Sequence, residues 1–361
     1  MPELRAKEIE SYLKAVAGPS TSIVALEVLG NSEHGELKGY GYGTPVMIDY
    51  EAGGVPHRAV LHTITAGPFG HEHMSDRAQS LLWDHSSFNQ LPRHVRSIDV
   101  GAFRRDGSAV SLGDAEEFFV LTEYAEGRGY VKDLMRMKDD LRLVDADVAR
   151  ADALCDYLVQ IHSVKGSNPG LYVRRIRELV GHSECIMGLI DSYPSGQALV
   201  DCKLLQDIEQ KCVAWRWRLK DRVHRLRQVH GDFHPWNILF REGTDFGVLD
   251  RSRGEWGDPA DDVSCLTMNY LFFSLQRSGR LDANLEVLFR RFWERYLAKS
   301  GDQEMLQIVA PFFAFRGLVM AHPVWYPQLA KDVRHKLFNF MIAVLDGDRF
   351  DPGEVNKYCA V

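Results

Sequence analysis

The stretch "VHGDFHPWNILF", residues 229–240, sets His230, Asp232 and Asn237 among apolar neighbours. Thirteen residues beyond Asn237, Asp250 closes the apolar run "FGVL". Burying polar groups is costly unless they are used. "NILF" and "FGVL" read as partner strands joined by the turn "REGTD". Such a hairpin brings Asn237 and Asp250 to one end. An amide carbonyl and a carboxylate are hard oxygen donors suited to Mg²⁺. Asp232, on the preceding loop, reaches the same cleft and could take a proton from an attacking hydroxyl. A base and two metal ligands are the minimum apparatus for phosphoryl transfer.

These residues need a scaffold, and the chain changes character along its length. "MPELRAKEIESYLKAV" reads as an amphipathic helix rather than a signal peptide. "STSIVALEVLG", "GYGYGTPVMIDYE" and "RAVLHTIT" read as strands, the last two joined by the turn "AGGVP". A helix is predicted over "MSDRAQSLLWDHSSF" and a further strand over "EEFFVLTEY". After "AEGRGY" the pattern turns helical. Val148, Ala151, Leu154, Leu158 and Ile161 fall on one face. "DCKLLQDIEQKCVAWRWRLKDRVHRL" is a second long helix, and nearly everything from "PADDVSCL" onward reads as helix. Asp258 before Pro259 is a good N-cap, and capping is the preferred reading for Asp258 and Asp262.

The 361 residues, 45% hydrophobic, are enough for a large core or two lobes. The net charge of −7 argues against a nucleic-acid partner. No apolar run approaches the roughly 18 residues of a spanning helix, so no membrane role is expected. Six cysteines without a CxxC pair read as reduced, mostly buried thiols of a cytoplasmic protein.

"HGDFHPWN", "LD" and "GDPADDV" together resemble the aminoglycoside phosphotransferase / choline kinase family, whose H-G-D-x-x-x-x-N stretch parallels the protein-kinase catalytic loop. The resemblance implies an α+β, protein-kinase-like two-lobe fold, with a small antiparallel sheet lobe over residues 1–124 and a larger helical lobe over 125–361. It implies an ATP-dependent kinase acting on a small-molecule hydroxyl. Asp232 would be the base, Asn237 and Asp250 would hold Mg²⁺, and His230 would brace the loop. "VLTEYAEG" resembles the hinge, which implies nucleotide contacts at Glu123 and Ala125. "DYLVQIHSV" resembles the helix ending in Leu-His that precedes the substrate region. "GNSEHG" at 30–35 is favoured as the phosphate-facing turn, with Ser32 on it. "GYGYG" at 39–43 could instead supply strand glycines.

One position departs from the pattern. The third strand of the family ends in a lysine that grips the phosphates, and here "AVLHTI" places His62 there. The glutamate that pairs with this lysine has no clear counterpart among Glu72, Asp76 and Arg77. Three readings stay open: His62 acts as a weaker cation, Lys38 reaches in, or the site binds nucleotide without turnover, as a pseudokinase. Residues 171–228 carry 7 acidic and 11 basic side chains, and 261–361 carry 12 of each. This balance disfavours a polycationic acceptor and allows a neutral or anionic one. His234 and Trp236 could line the acceptor cleft, as could "PFFAF" and "HPVWYP", although core is the commoner fate of such residues.

Overall fold

The computed structural model describes residues 5–29, 42–194 and 200–360. Ser32, Lys38 and the turn at 30–35 lie outside the described residues, as does most of "GYGYG". The chain divides into two compact units, Met1–Thr122 and Glu123–Val361.

The first unit begins with helix α1 (Ala6–Ala17), whose Ile9 and Leu13 are buried. Strands β1 (Ser22–Val28), β2 (Val46–Ala52) and β3 (Val55–Leu61) form an antiparallel sheet in that order. The β2–β3 hairpin closes through Gly53 and Gly54 at φ 59° and 76°, with Ala52 opposite Val55. A two-residue turn with both central φ values positive matches the strand twist and favours glycine. Helix α2 (Met74–Phe88) covers the predicted segment, and Asp76 accepts the His73 N–H at 2.8 Å, capping it.

A small hairpin, β4 (Gly101–Phe103) with β5 (Ala109–Ser111), was not anticipated from the sequence. The strand expected over "EEFFVLTEY" does not form. Residues 116–124 pair with no strand among the described residues, and Phe119, Leu121 and Tyr124 are about nine-tenths exposed. Strand propensity describes how a side chain fits beside cross-strand neighbours, so an apolar run without them carries no strand by itself.

The second unit is mainly helical. Its strands are β6 (Arg128–Gly129), β7 (Arg227–Gln228), β8 (Ile238–Phe240), β9 (Phe246–Val248) and β10 (Trp256–Gly257). They pair as β6-β8-β9 and as β10-β7. Its helices are α3 (Val131–Asp140), α4 (Asp145–His162), α5 (Pro169–Gly181), α6 (Ile186–Ser192), α7 (Cys202–Leu219), α8 (Pro259–Ser278), α9 (Ala283–Ser300), α10 (Ala310–Ala321), α11 (Lys331–Asp346) and α12 (Val355–Cys359). The expected face of α4 is the packed one: Ala151, Leu154 and Leu158 are buried, with Val148 and Ile161 half-buried against the same core. Helix α8 is buried from Pro259 to Leu275, so it forms the centre of this unit. It starts at Asp258, whose Oδ1 accepts the Ala260 N–H at 2.9 Å, and stops at left-handed Gly279.

Cys155, Cys185, Cys212, Cys265 and Cys359 are free and buried, and Cys202 is free and exposed. Among the described residues no helix is long and apolar enough to cross a membrane.

Candidate active site

The segment 229–234 carries no regular helix or strand of its own, so side chains from elsewhere hold it. Asp262, fully buried on α8, accepts the backbone N–H of His230 at 2.8 Å and of Gly231 at 2.7 Å. His162, the last residue of α4, faces the same carboxylate at 3.0 Å, and its other ring nitrogen meets the Tyr296 hydroxyl at 2.7 Å. Burial pushes the Asp262 carboxyl up, but His162, then His230 and its backbone amide, hold it below the ordinary carboxylate value. Asp262 therefore braces the loop and does not cap the helix, which corrects the capping expectation for that residue. For Asp258 capping holds, and Arg225 adds a two-pronged pair at 2.8 and 2.9 Å while Tyr172 donates at 2.8 Å.

Gly231 has φ +87°. A Cβ there would lie 3.2 Å from the Cβ of Arg253, so both backbone angle and space favour glycine. The turn it makes presents Asp232. The Asp232 carboxylate is 14% exposed, and Arg316, 5% exposed, donates to its Oδ1 at 2.5 Å. The same guanidinium donates to the Gly231 carbonyl at 2.9 Å and to Asp261 Oδ1 at 2.6 Å, and it lies on the ring of Phe315. His234 Nε2 stands 3.5 Å from Asp232 Oδ2. Burial pushes the Asp232 carboxyl up, but Arg316, then His234 and Arg253, hold it well below the usual carboxylate range. Burial also lowers the pKa of His230, which keeps that ring neutral near pH 7.

Asn237 ends a short 3-10 turn, Pro235–Asn237, and its side-chain amide donates to the Asp232 carbonyl at 3.1 Å. That bond orients the amide and leaves its oxygen available. The expected hairpin is present: Ile238 sits opposite Val248, and the Leu249 N–H meets the Asn237 carbonyl at 2.8 Å. Asp250 follows at once, exposed and at φ 55°, a left-handed angle that is strained for a residue with a Cβ. Its Oδ1 accepts the Ser252 N–H at 3.2 Å, which leaves carboxylate lone pairs free. A neutral amide oxygen and a carboxylate with free lone pairs suit a hard cation such as Mg²⁺. Among the described residues no three His, Cys, Asp or Glu side chains form a metal cluster.

Of the residues singled out from the sequence, the second unit brings together His230, Asp232, His234, Trp236, Asn237 and Asp250. Trp236, 39% exposed, stacks on Phe273 at 6.1 Å. The "PFFAF" run is wholly buried, whereas Val324 and Trp325 of "HPVWYP" are exposed. His62 is exposed in the first unit, one residue past β3. Glu123 is exposed and Ala125 half-buried at the start of the second unit. The sequence reading missed His162, Asp261 and Arg316. A signal existed for Arg316, a lone arginine inside the apolar run "PFFAFRGLVMA". Such a charge is buried only when paired.

No protein of curated function matches the chain. Solved structures do. A glucosamine kinase in complex with glucosamine, ADP and inorganic phosphate is 16% identical, with 64% of this chain and 57% of that one covered and a TM-score of 0.34. The chain thus spans little more than half the length of that kinase. An amicoumacin kinase in complex with AMP-PNP, Ca²⁺ and its ligand is 15% identical over 91% of both chains, with a TM-score of 0.41. A choline/ethanolamine kinase family protein from Mesorhizobium loti is 13% identical over 98% of this chain and 97% of its own, with a TM-score of 0.37. Residues 108–298, more than half of the chain, match the model of the phosphotransferase enzyme family, and the matched span contains Asp232, Asn237 and Asp250. The chain belongs to the phosphotransferase enzyme family.

Proposed function

We propose that the chain is a small-molecule kinase that transfers the γ-phosphate of ATP to a substrate hydroxyl. The observation that carries this reading is the state of Asp232, an ionised carboxylate locked by Arg316 on a loop whose far end presents Asn237 and Asp250. Asp232 accepts a hydrogen bond from the acceptor hydroxyl and aligns its oxygen. It takes the proton late, when the new O–P bond has formed and the proton has become acidic. A strongly depressed pKa suits that role better than early deprotonation. Asn237 and Asp250 would hold Mg²⁺, which neutralises phosphate charge when bound. Asp262 and Arg316 fix the loop, so its geometry is set before substrates arrive.

A second reading, nucleotide binding without turnover, is favoured by His62 alone, which stands where the family has its lysine. A nucleotide-contacting role for His62, Glu123, Ala125 and Ser32, and for residues 1–124 as the nucleotide-binding lobe, belongs to the same proposal.

Asp250→Ala tests the metal assignment. The side chain is exposed and makes one hydrogen bond, so the melting temperature should hold. Affinity for Mg²⁺-ATP should fall at least about ten-fold and turnover should vanish, as expected on removing a metal-held charge contact. A variant with wild-type Mg²⁺-ATP affinity and turnover contradicts the assignment.

A further inference from the structure

Arg253 lies on the loop between Asp250 and Asp258, and its Cβ fills the space left by Gly231, next to Asp232. Its guanidinium rests on Phe315, with 4.6 Å to the ring centroid. Its nearest acceptor is the Cys185 sulfur at 3.4 Å, and its Nε is buried without a partner. Burial pushes the Cys185 thiol up, so the sulfur is neutral and a weak acceptor. Among the described residues no carboxylate lies within 4.0 Å of Arg253.

The neighbouring carboxylates hydrogen-bond to other cations. Arg316 is neutralised by Asp232 and Asp261. Asp258 is taken by Arg225. Arg175 on α5 stands 3.6 Å from Asp261, which it shares with Arg316, and 3.3 Å from Glu178, which it shares with Arg174. A water-sized cavity of about 10 Å³ lies among Arg175, Arg253, Asp258, Asp261, Cys185 and Phe315. Arg253 acts on the Asp232 charge through space, but no carboxylate hydrogen-bonds its guanidinium, and a buried donor without an acceptor is costly unless a ligand supplies one.

We propose that Arg253, with Arg175 beside it, forms a subsite for an anionic group on the phosphate acceptor, so that the acceptor is an alcohol bearing a carboxylate or a phosphate. The inference rests on the kinase reading above and adds the class of acceptor to it. A planar guanidinium stacked on an aromatic ring offers a fork of N–H donors that matches either anion. The acceptor hydroxyl then meets Asp232 while its anion is held on the Arg253 side of Gly231. The excess of basic residues over 171–228 agrees with such an acceptor.

The test uses the full chain with Mg²⁺-ATP and two matched acceptor sets. One is glycerol, glycerate, glycerol 3-phosphate and serinol; the other is glucose, gluconate, glucose 6-phosphate and glucosamine. Acceptor-dependent ADP release and Mg²⁺-ATP affinity are measured for wild type, Arg253→Gln and Arg253→Lys, with melting temperatures to confirm folding. Anionic members should be preferred, and Arg253→Gln should lower kcat/KM for them about ten- to hundred-fold, the worth of a charged hydrogen bond. The loss should be smaller for the neutral members, so that the anionic-to-neutral ratio of kcat/KM falls, while Mg²⁺-ATP affinity holds and Arg253→Lys recovers part of the ratio. Preference within the anionic members tells carboxylate from phosphate.

A preference for serinol or glucosamine overturns the proposal. So does a loss of Mg²⁺-ATP affinity in Arg253→Gln, which would assign the arginine to the nucleotide. If Mg²⁺-ATP binds and no acceptor is turned over, the kinase reading fails, and the anion subsite is judged by titrating inorganic phosphate and glycerate into nucleotide-free protein. Binding of either that Arg253→Gln abolishes supports the subsite, and binding unaffected by the substitution, or none, refutes it.

Discussion

Asp232 and His62 are the two positions that the proposed kinase chemistry would use, and their surroundings differ in kind. Asp232 sits on a loop with no regular structure of its own, yet Asp262, His162 and Arg316 fix it through charge-assisted hydrogen bonds, and Asn237 adds a neutral one to its backbone. His62 follows a regular strand, yet β3 is largely exposed and α2 buries no residue. The core of the first unit rests on Ile9, Leu13, Ile48 and Tyr50, whereas the second unit packs α8 and α10 almost all round. The lesson is that regular backbone does not by itself rigidify a site. What rigidifies the catalytic loop is a set of buried polar groups that satisfy one another, and the removal of any member leaves the others stranded.

The largest effect should come from Asp262→Ala. It leaves the His230 and Gly231 amides and the His162 ring without their acceptor, and each stranded buried donor costs about 1–3 kcal/mol. Chemical denaturation should show a loss of several kcal/mol. A loss under about 1 kcal/mol would mean that the loop is held by something else and would break the comparison.

Arg316→Gln should come next, at about 3–5 kcal/mol, because it leaves Asp232 and Asp261 buried without their cation. Its pH dependence sharpens the point. In the wild type the carboxyl of Asp232 is depressed, so the stability contributed by the pair is present above the unfolded value of about 3.9 and is lost only as pH falls below it. With that guanidinium gone, only His234 and Arg253 oppose burial, and the carboxyl rises. The acid limb of the pH–rate profile should therefore move upward in Arg316→Gln. An unmoved limb would show that Arg316 does not set the charge state of Asp232.

The smallest effect should be that of His62→Ala on stability, within about 0.5 kcal/mol, as for exposed side chains generally. Mg²⁺-ATP affinity measured on the same variant then separates two readings, since a loss assigns His62 to the nucleotide and no change leaves the position idle. A destabilisation of several kcal/mol would show that the two positions are not as different as their surroundings imply.

What could be read from the sequence follows the same division. Helices α1, α2, α4 and α7 and the β8–β9 hairpin were legible because apolar spacing, caps and turns are local. The Asp232–Asn237–Asp250 spacing was legible because one loop and one hairpin carry it. His162, Asp262 and Arg316 act on that loop across 69, 31 and 85 residues measured from Gly231; the lone Arg316 in an apolar run signals that it is paired, but no local pattern names the partner. Asp262 was misread as a cap because a helix-start signal is strong and the distant amides it serves are invisible in sequence. The run "EEFFVLTEY" misled in the opposite way: its apolar residues promise a strand, and pairing partners decide whether one forms.

The most direct test is Asp232→Asn. The substitution keeps the shape of the side chain and removes the charge that, in the proposed mechanism, would orient and finally deprotonate the acceptor hydroxyl. With an acceptor in hand, phosphate transfer should fall about 10²–10⁴-fold, while Mg²⁺-ATP titrates as in the wild type. A variant that transfers phosphate at the wild-type rate would contradict the assignment of Asp232 as the base.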